Sequence, residues 1–144
     1  MIVFLDIDGV LHPDPANSDQ AFCRRHLFCK LLSARPSIQV VISSDWRFHH
    51  SLIELADFID PGDASLKRRF VGITPALPGA KHEYEGRQRE CLQWLNTHAA
   101  TKDCWLAIDD VAGNFTYGSP RLVLTDHRTG LTEQDIDTVL SITR

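Results

Sequence analysis

Residues 2–10 read Ile-Val-Phe-Leu-Asp-Ile-Asp-Gly-Val, an apolar run that ends in two aspartates one residue apart, followed by a glycine. Such a run near the start of a chain predicts a buried first strand. Asp6 and Asp8 are two positions apart, so on a strand both side chains point to the same face. Buried carboxylates are costly unless they are paired or bind a metal, and two of them repel each other. The stretch therefore predicts a metal and anion site at a strand end, where Gly9 lets the chain turn.

The composition is that of a single soluble domain spanning residues 1–144. Hydrophobic residues make up 43% and charged residues 24%, which is ordinary for a globular protein with a buried core. The net charge of −4 creates no overall field that attracts nucleic acid, so strong nucleic-acid affinity is not expected. The sequence indicates no particular oligomeric state.

The cysteines and the apolar segments predict a cytoplasmic protein. None of the four cysteines forms a C-x-x-C pair, and we expect reduced, mostly buried thiols. No secretory signal and no stretch long enough to span a membrane is predicted. The histidines show no pairing typical of metal ligands, so a zinc site is not expected.

Strands alternate with helices along the chain. Strands are predicted at about 2–7, 38–42, 70–73, 104–108 and 121–124. Helices are predicted at about 20–34, 48–58 and 87–98, and a last helix is capped by Thr132. This alternation predicts an α/β fold, a three-layer α/β/α Rossmann-like sandwich with a mostly parallel sheet. The segments between these elements are too short for a large cap domain, so an open site is expected.

Polar side chains follow three of the predicted strands. These side chains are Asp6 and Asp8, Ser43 and Ser44, and Asp109 and Asp110. Ligands of an open parallel sheet bind beyond the carboxyl ends of its strands, so we expect these side chains to lie together. Arg87, at the start of a predicted helix, adds a cation.

These segments, in this order, resemble the four motifs of the haloacid dehalogenase (HAD) superfamily. Residues 6–10, Asp-Ile-Asp-Gly-Val, are similar to motif I, written D-x-D-G-[TV]. Ser43 resembles motif II, Arg87 the cation of motif III, and Asp109-Asp110 the acidic motif IV. Lys81 competes with Arg87 for motif III, and Arg87 is preferred because it opens a predicted helix.

A narrower resemblance covers nearly the whole chain and points to a small capless branch associated with RNA-repair proteins. It is carried by residues 41–47, 72–75, 87–91 with 94–95, and 125–126 followed by 130–132. The resemblance implies a phosphorylated nucleic-acid end as substrate, while a small phosphomonoester or a nucleotide stays equally open.

The resemblance implies a Mg²⁺-dependent phosphohydrolase that cleaves a phosphomonoester through an aspartyl-phosphate. Asp6 is then the nucleophile, because a carboxylate is ionised at neutral pH without a helper base. Asp8 is the general acid and base, a role that suits a carboxylate with a raised pKa. Mg²⁺ prefers oxygen ligands. The Asp6 carboxylate, the Asp8 backbone carbonyl and one carboxylate of Asp109 or Asp110 are the expected ligands.

The remaining candidates would hold the phosphate. Ser43 would donate a hydrogen bond to a phosphoryl oxygen, and Arg87 would bind another and offset its charge. The full set of expected substrate-binding residues is Gly9, Ser43, Ser44, Arg47 and Arg87.

Two residues near the motifs are interpreted as taking no part in substrate binding, although contact of His12 with the substrate stays an alternative. His12, in the proline-rich loop predicted to form a flap over the first strand, is expected to be solvated. Trp46 is expected to pack against the protein and not to stack on a base.

Two other functions stay open. The first is a non-catalytic phosphate-binding or phosphoacceptor regulatory module, which has no need of a general acid at Asp8. The second is cleavage of a carbon–halogen bond, which Asp8 also disfavours because a halide leaving group takes no proton.

Overall fold

The computed structural model describes residues 1–62, 64–98, 100 and 104–143. All strand pairs are parallel, and the sheet order is β3-β2-β1-β4-β5. The strands are β1 Ile2–Leu5, β2 Gln39–Ile42, β3 Phe70–Ile73, β4 Trp105–Asp109 and β5 Leu122–Leu124. The helices are α1 Arg25–Ala34, α2 Leu52–Ile59, α3 Ala64–Lys67, α4 Gly86–Thr97 and α5 Glu133–Ile142.

Helices cover both faces of the sheet, as the alternating strand–helix pattern predicts. Val3 and Leu5 point to the face that packs against α1, α2 and α5. Phe4 points to the opposite face and packs edge-on against Trp94 of α4, with ring centroids 6.1 Å apart. Because both faces are covered, every side chain of β1 is buried. The predicted α/β/α sandwich without a cap is confirmed.

The register of the central strands decides where the functional side chains lie. Leu5 of β1 is level with Ile42 of β2 and with Ile108 of β4. The residue after Leu5 is Asp6, whose backbone N–H donates to the carbonyl of Ile108 at 3.1 Å. Ser43 likewise donates its N–H to the carbonyl of Leu5 at 2.8 Å. The three strand ends therefore meet at one edge of the sheet, as predicted.

The first helix begins later than the predicted residue 20. Residues 18–20 form a separate 3₁₀ turn that Asn17 caps. Phe22 then adopts a left-handed conformation with φ of +54°, which an α-helix cannot accommodate, so α1 starts only at Arg25. This break places the Phe22 backbone next to the loop that follows β1.

The second helix also begins later than the predicted residue 48. Residues 45–48 form a 3₁₀ turn directly after the β2 end, and Ser44 caps this turn. A capping box between Ser51 and Glu54 then starts α2. The 3₁₀ turn places the side chains of Asp45 and Trp46 beside the strand ends. The last helix begins after Thr132, as predicted.

The expectation of mostly buried cysteines is wrong, because Cys23 and Cys104 are exposed and Cys29 is half-buried, whereas Cys91 is buried. No disulfide joins these four residues, all of which the structure describes. Among the described residues, the helices are too short or too polar to cross a membrane.

Candidate active site

Three carboxylates meet at the carboxyl ends of β1 and β4. Each of Asp6, Asp109 and Asp110 offers an oxygen that lies within 4.8 Å of the oxygens of the other two. Asp6 and Asp109 are only 8% and 1% exposed. Burial raises the pKa of Asp6 well above its usual value, and the Asp109 charge adds to this effect. Burial likewise raises the pKa of Asp109 to about 6 and raises the pKa of Asp110.

This carboxylate cluster has the donors that a hard divalent cation prefers. Up to three negative charges share one buried place, and a cation between them would remove their repulsion. The Asp109 carboxylate is held in place, because its Oδ1 accepts from the Val111 N–H at 2.8 Å and from Asn114 Nδ2 at 3.3 Å. All-oxygen ligands fit Mg²⁺, so Asp6, Asp109 and Asp110 are the residues that would hold it.

Gly9 makes room for one of these carboxylates. It has a φ of +75°, and a Cβ placed on it would lie 2.2 Å from Asp110 Oδ2. Any side chain at this position would therefore displace Asp110 from the carboxylate cluster. Direct contact of Gly9 with a substrate stays a prediction.

Asp8 stands apart from the carboxylate cluster and accepts two side-chain hydrogen bonds. His12 Nδ1 accepts the backbone N–H of Phe22 at 3.1 Å, so in the neutral ring the proton lies on Nε2. That nitrogen donates to Asp8 Oδ1 at 2.7 Å, and Trp46 Nε1 donates to the same oxygen at 3.0 Å. The His12 hydrogen bond is the main cause that lowers the pKa of Asp8.

Two expectations about this part of the site are wrong. The pKa of Asp8 is lowered and not raised, because two donors stabilise its ionised form. His12 is not solvated: it is 4% exposed and lies between Asp8 and the Phe22 backbone. The packing expected of Trp46 is confirmed, because its ring contacts the rings of Phe22 and Phe58.

Two cations face the carboxylates across a cavity of about 260 Å³. Both Arg87 and Lys81 line this cavity. Asp45 joins them, because its Oδ1 lies 3.2 Å from Arg87 Nη2 and its Oδ2 lies 3.0 Å from Lys81 Nζ. Burial opposes the charge of Arg87, but Asp6 and Asp109 raise its pKa overall. Arg87 is 12% exposed and Lys81 63%. The motif III role of Arg87 stays a prediction.

The two serines of the β2 end differ in position. Ser44 lines the cavity. The Ser43 hydroxyl is buried and lies 3.7 Å from Cys91 Sγ. Phosphate binding by either serine stays a prediction.

Arg47 is placed differently from the prediction. Its Nη2 forms a buried ion pair with both carboxylate oxygens of Glu90, at 3.1 and 3.0 Å. The two side chains are 5% and 4% exposed, and Arg47 does not line the cavity. Instead of offering a free guanidinium to a substrate, it ties the turn after β2 to α4.

Sequence reasoning missed three further polar residues of the cavity wall. Asp14 reaches it from the predicted flap loop, Asn114 from the turn after β4, and Asp45 from the turn after β2. Asp45 directly follows the two serines, so its position could have suggested it. Asn114 carries no comparable signal, because its hydrogen bond to Asp109 depends on how the loop folds back.

The parallel sheet, its open edge and its aspartate-rich strand ends define a domain of the HAD type. A family model described as the HAD domain in Swiss Army Knife RNA repair proteins matches residues 2–136. The chain therefore belongs to this family, and the resemblance drawn from the four motifs is confirmed. Searches of the curated proteins and of the solved structures returned no match.

Proposed function

We propose that this domain is a Mg²⁺-dependent phosphohydrolase that cleaves a phosphomonoester, with Asp6 as nucleophile and Asp8 as general acid and base. One observation supports this most directly. Asp6, Asp8, Asp110 and Arg87 line the same cavity of about 260 Å³ at the carboxyl edge of the sheet. Family membership favours a phosphorylated nucleic-acid end, with a nucleotide or a small phosphomonoester as simpler substrates of the same chemistry.

In the first half-reaction, an Asp6 oxygen forms a bond to phosphorus while the bond to the leaving oxygen breaks. Asp8 gives its proton to that oxygen. In the second half, water attacks the phosphorus of the aspartyl-phosphate, Asp8 takes the water's proton, and Asp6 is released as a carboxylate. The chemistry that bound Mg²⁺ supplies is neutralisation of charge on the phosphate and the carboxylates.

The surroundings of Asp8 suit both proton transfers. Within the described residues, both side-chain donors to Asp8 end on Oδ1, which leaves Oδ2 for the proton. Without substrate, Asp8 is ionised, as the second half-reaction requires. A substrate phosphate beside it adds negative charge, and this favours protonation of Asp8 before the first half-reaction.

The test is a phosphomonoester panel that includes 5′- and 3′-phosphorylated oligonucleotides, measured with Mg²⁺ and with EDTA. Asp6→Asn should abolish turnover, because an amide is a poor nucleophile. The exposed Asp137 of α5 provides a matched control, and Asp137→Asn should turn over like the wild type. Full turnover by Asp6→Asn on a good substrate would contradict the mechanism.

The carboxylate cluster of Asp6, Asp109 and Asp110 at the strand ends also suits a second candidate, a phosphoacceptor module that takes up phosphate on Asp6 without releasing it. The two functions differ in the wild-type protein. A phosphohydrolase releases phosphate over many turnovers, whereas a phosphoacceptor stops after one equivalent per chain. A single stoichiometric burst with no later release would support the second candidate.

A further inference from the structure

A second cavity, of about 400 Å³, opens directly beside the candidate active site. The two cavities share three lining residues, namely Asp8, Asp45 and Lys81. The second cavity is otherwise lined by four ring-bearing side chains, Trp46, Phe48, His49 and His50, which we call the aromatic groove. Its volume is in the range of roughly 300–1,000 Å³ that is usual for ligand sites.

The aromatic groove contains an apolar ring, that of Phe48, that is not buried in the hydrophobic core. Phe48 is 53% exposed and borders this cavity together with three other rings, and a contiguous exposed ring surface of this kind is typical of ligand-binding grooves. Arg47 packs over the Phe48 ring, with its guanidinium carbon 4.8 Å from the ring centroid. Arg47 is itself fixed by its ion pair with the buried Glu90. The phenyl ring is therefore held in place while much of its surface stays open.

Two of the other rings of the groove are ordered by stacking. The rings of Trp46 and His50 stack with centroids 5.4 Å apart and planes inclined by 26°. The Trp46 indole N–H already donates to Asp8, so this ring offers a ligand only its faces and edges. A ligand that fits them has a flat aromatic surface of its own.

We propose that the aromatic groove binds the nucleobase of the nucleotide whose phosphate lies in the candidate active site, with Phe48 as the main stacking partner. This inference rests on the proposed function and names its substrate class. The shared wall of Asp8, Asp45 and Lys81 puts the groove next to the scissile phosphate, where the leaving group must lie. Every base has a π-face, so the groove would accept different bases.

The net charge of the protein favours separate local sites for the phosphate and for the base. The chain carries a net charge of −4 and therefore gains little from long-range attraction to a polyanion. Binding of a nucleotide then depends on local contacts, with Arg87 and the metal site for the phosphate and the aromatic groove for the base. A terminal nucleotide suffices as ligand.

The test compares two substrates that differ only in the base, a nucleoside 5′-monophosphate and ribose 5-phosphate. The wild type should have the lower KM for the nucleotide. Phe48→Ala should remove about tenfold of this KM advantage, as expected for the loss of one stacked base. Phe48→Trp should restore the advantage. Ile53→Ala, at an 82% exposed position of α2, is the matched control and should behave like the wild type.

Equal effects of Phe48→Ala on both substrates, or no effect on either, would overturn the inference. If neither substrate is hydrolysed, the proposed function fails but the aromatic groove is still tested. In that case, calorimetry with the same two compounds in the presence of Mg²⁺ measures affinity directly. Equal affinity of the wild type for the two compounds would then overturn base binding by the groove. A preference for the nucleotide that Phe48→Ala removes would support base binding.

Discussion

Neutralising one member of the carboxylate cluster should stabilise the protein when no metal is bound. The oxygens of Asp6, Asp109 and Asp110 lie within 4.8 Å of one another. Two unit charges at that distance repel by roughly 3–4 kcal/mol at an effective dielectric constant of 20. Shared protons and the nearby Arg87 relieve part of this repulsion. We therefore expect Asp110→Asn to raise the free energy of unfolding of the metal-free protein by about 1–3 kcal/mol near neutral pH.

The same cluster predicts how stability depends on pH. The pKa values of Asp6 and Asp109 are raised in the folded state, that of Asp109 to about 6, so the folded protein holds protons that the unfolded chain releases near pH 4. This contribution to stability is fully present below the unfolded pKa and is lost as the pH rises through the folded pKa. For Asp109 alone the loss is on the order of 2–3 kcal/mol. The metal-free wild type should therefore be less stable at about pH 7.5 than at about pH 5.

Urea unfolding measures both effects, in EDTA and in millimolar Mg²⁺. A cation that binds only the folded state at 100 times its dissociation constant adds about 2.7 kcal/mol, so Mg²⁺ should restore the stability lost at the higher pH. Asp110→Asn should respond much less to Mg²⁺. Asp137→Asn on α5 is the matched control and should follow the wild type. The reasoning is refuted if Asp110→Asn and the wild type are equally stable in EDTA, or if Mg²⁺ stabilises both to the same extent.

Two further predictions concern the neighbours of the carboxylates. Trp46→Phe removes the 3.0 Å hydrogen bond to Asp8 and keeps an aromatic ring, so steady-state kinetics should show kcat reduced about tenfold with little change in KM. Trp105→Phe on the other side of the sheet is the control, and equal loss in both variants would contradict a role in positioning Asp8. Burial raises the pKa of Cys91 to about 12, so a thiol reagent should label the exposed Cys104 in the native protein and Cys91 only after unfolding. Labelling of both thiols at one rate would show that Cys91 is accessible.

The sequence predicts the sheet well because its signals are local. The apolar run at residues 2–5 and the β-branched run at 39–42 each identify a buried strand without reference to the rest of the chain. The alternation with helices then limits the fold to a parallel sheet with covered faces. Helix starts are predicted less well. The left-handed Phe22 and the 3₁₀ turn at 45–48 interrupt segments whose apolar residues recur with helical spacing.

The candidate site also has one part that the sequence could predict and another that it could not. The meeting of Asp6 with Asp109-Asp110 follows from strand ends in a parallel sheet, and this could be predicted. The ion pair of Arg47 with Glu90 could not, because it joins residues 43 positions apart through side-chain conformations that no local pattern encodes. A free cation and a paired one look alike in a sequence.

The sequence by itself determined the fold class and the acidic edge of the sheet, because strand periodicity and the positions of aspartates along the chain are local properties. Only the tertiary structure decided the surroundings of these aspartates. It placed His12 and Trp46 on one oxygen of Asp8, brought Asp110 into the space above Gly9, and left the Phe48 ring open beside the site. Each of these arrangements depends on a contact between segments that are brought together only when the loops pack, and burial and charge then set the pKa of each group.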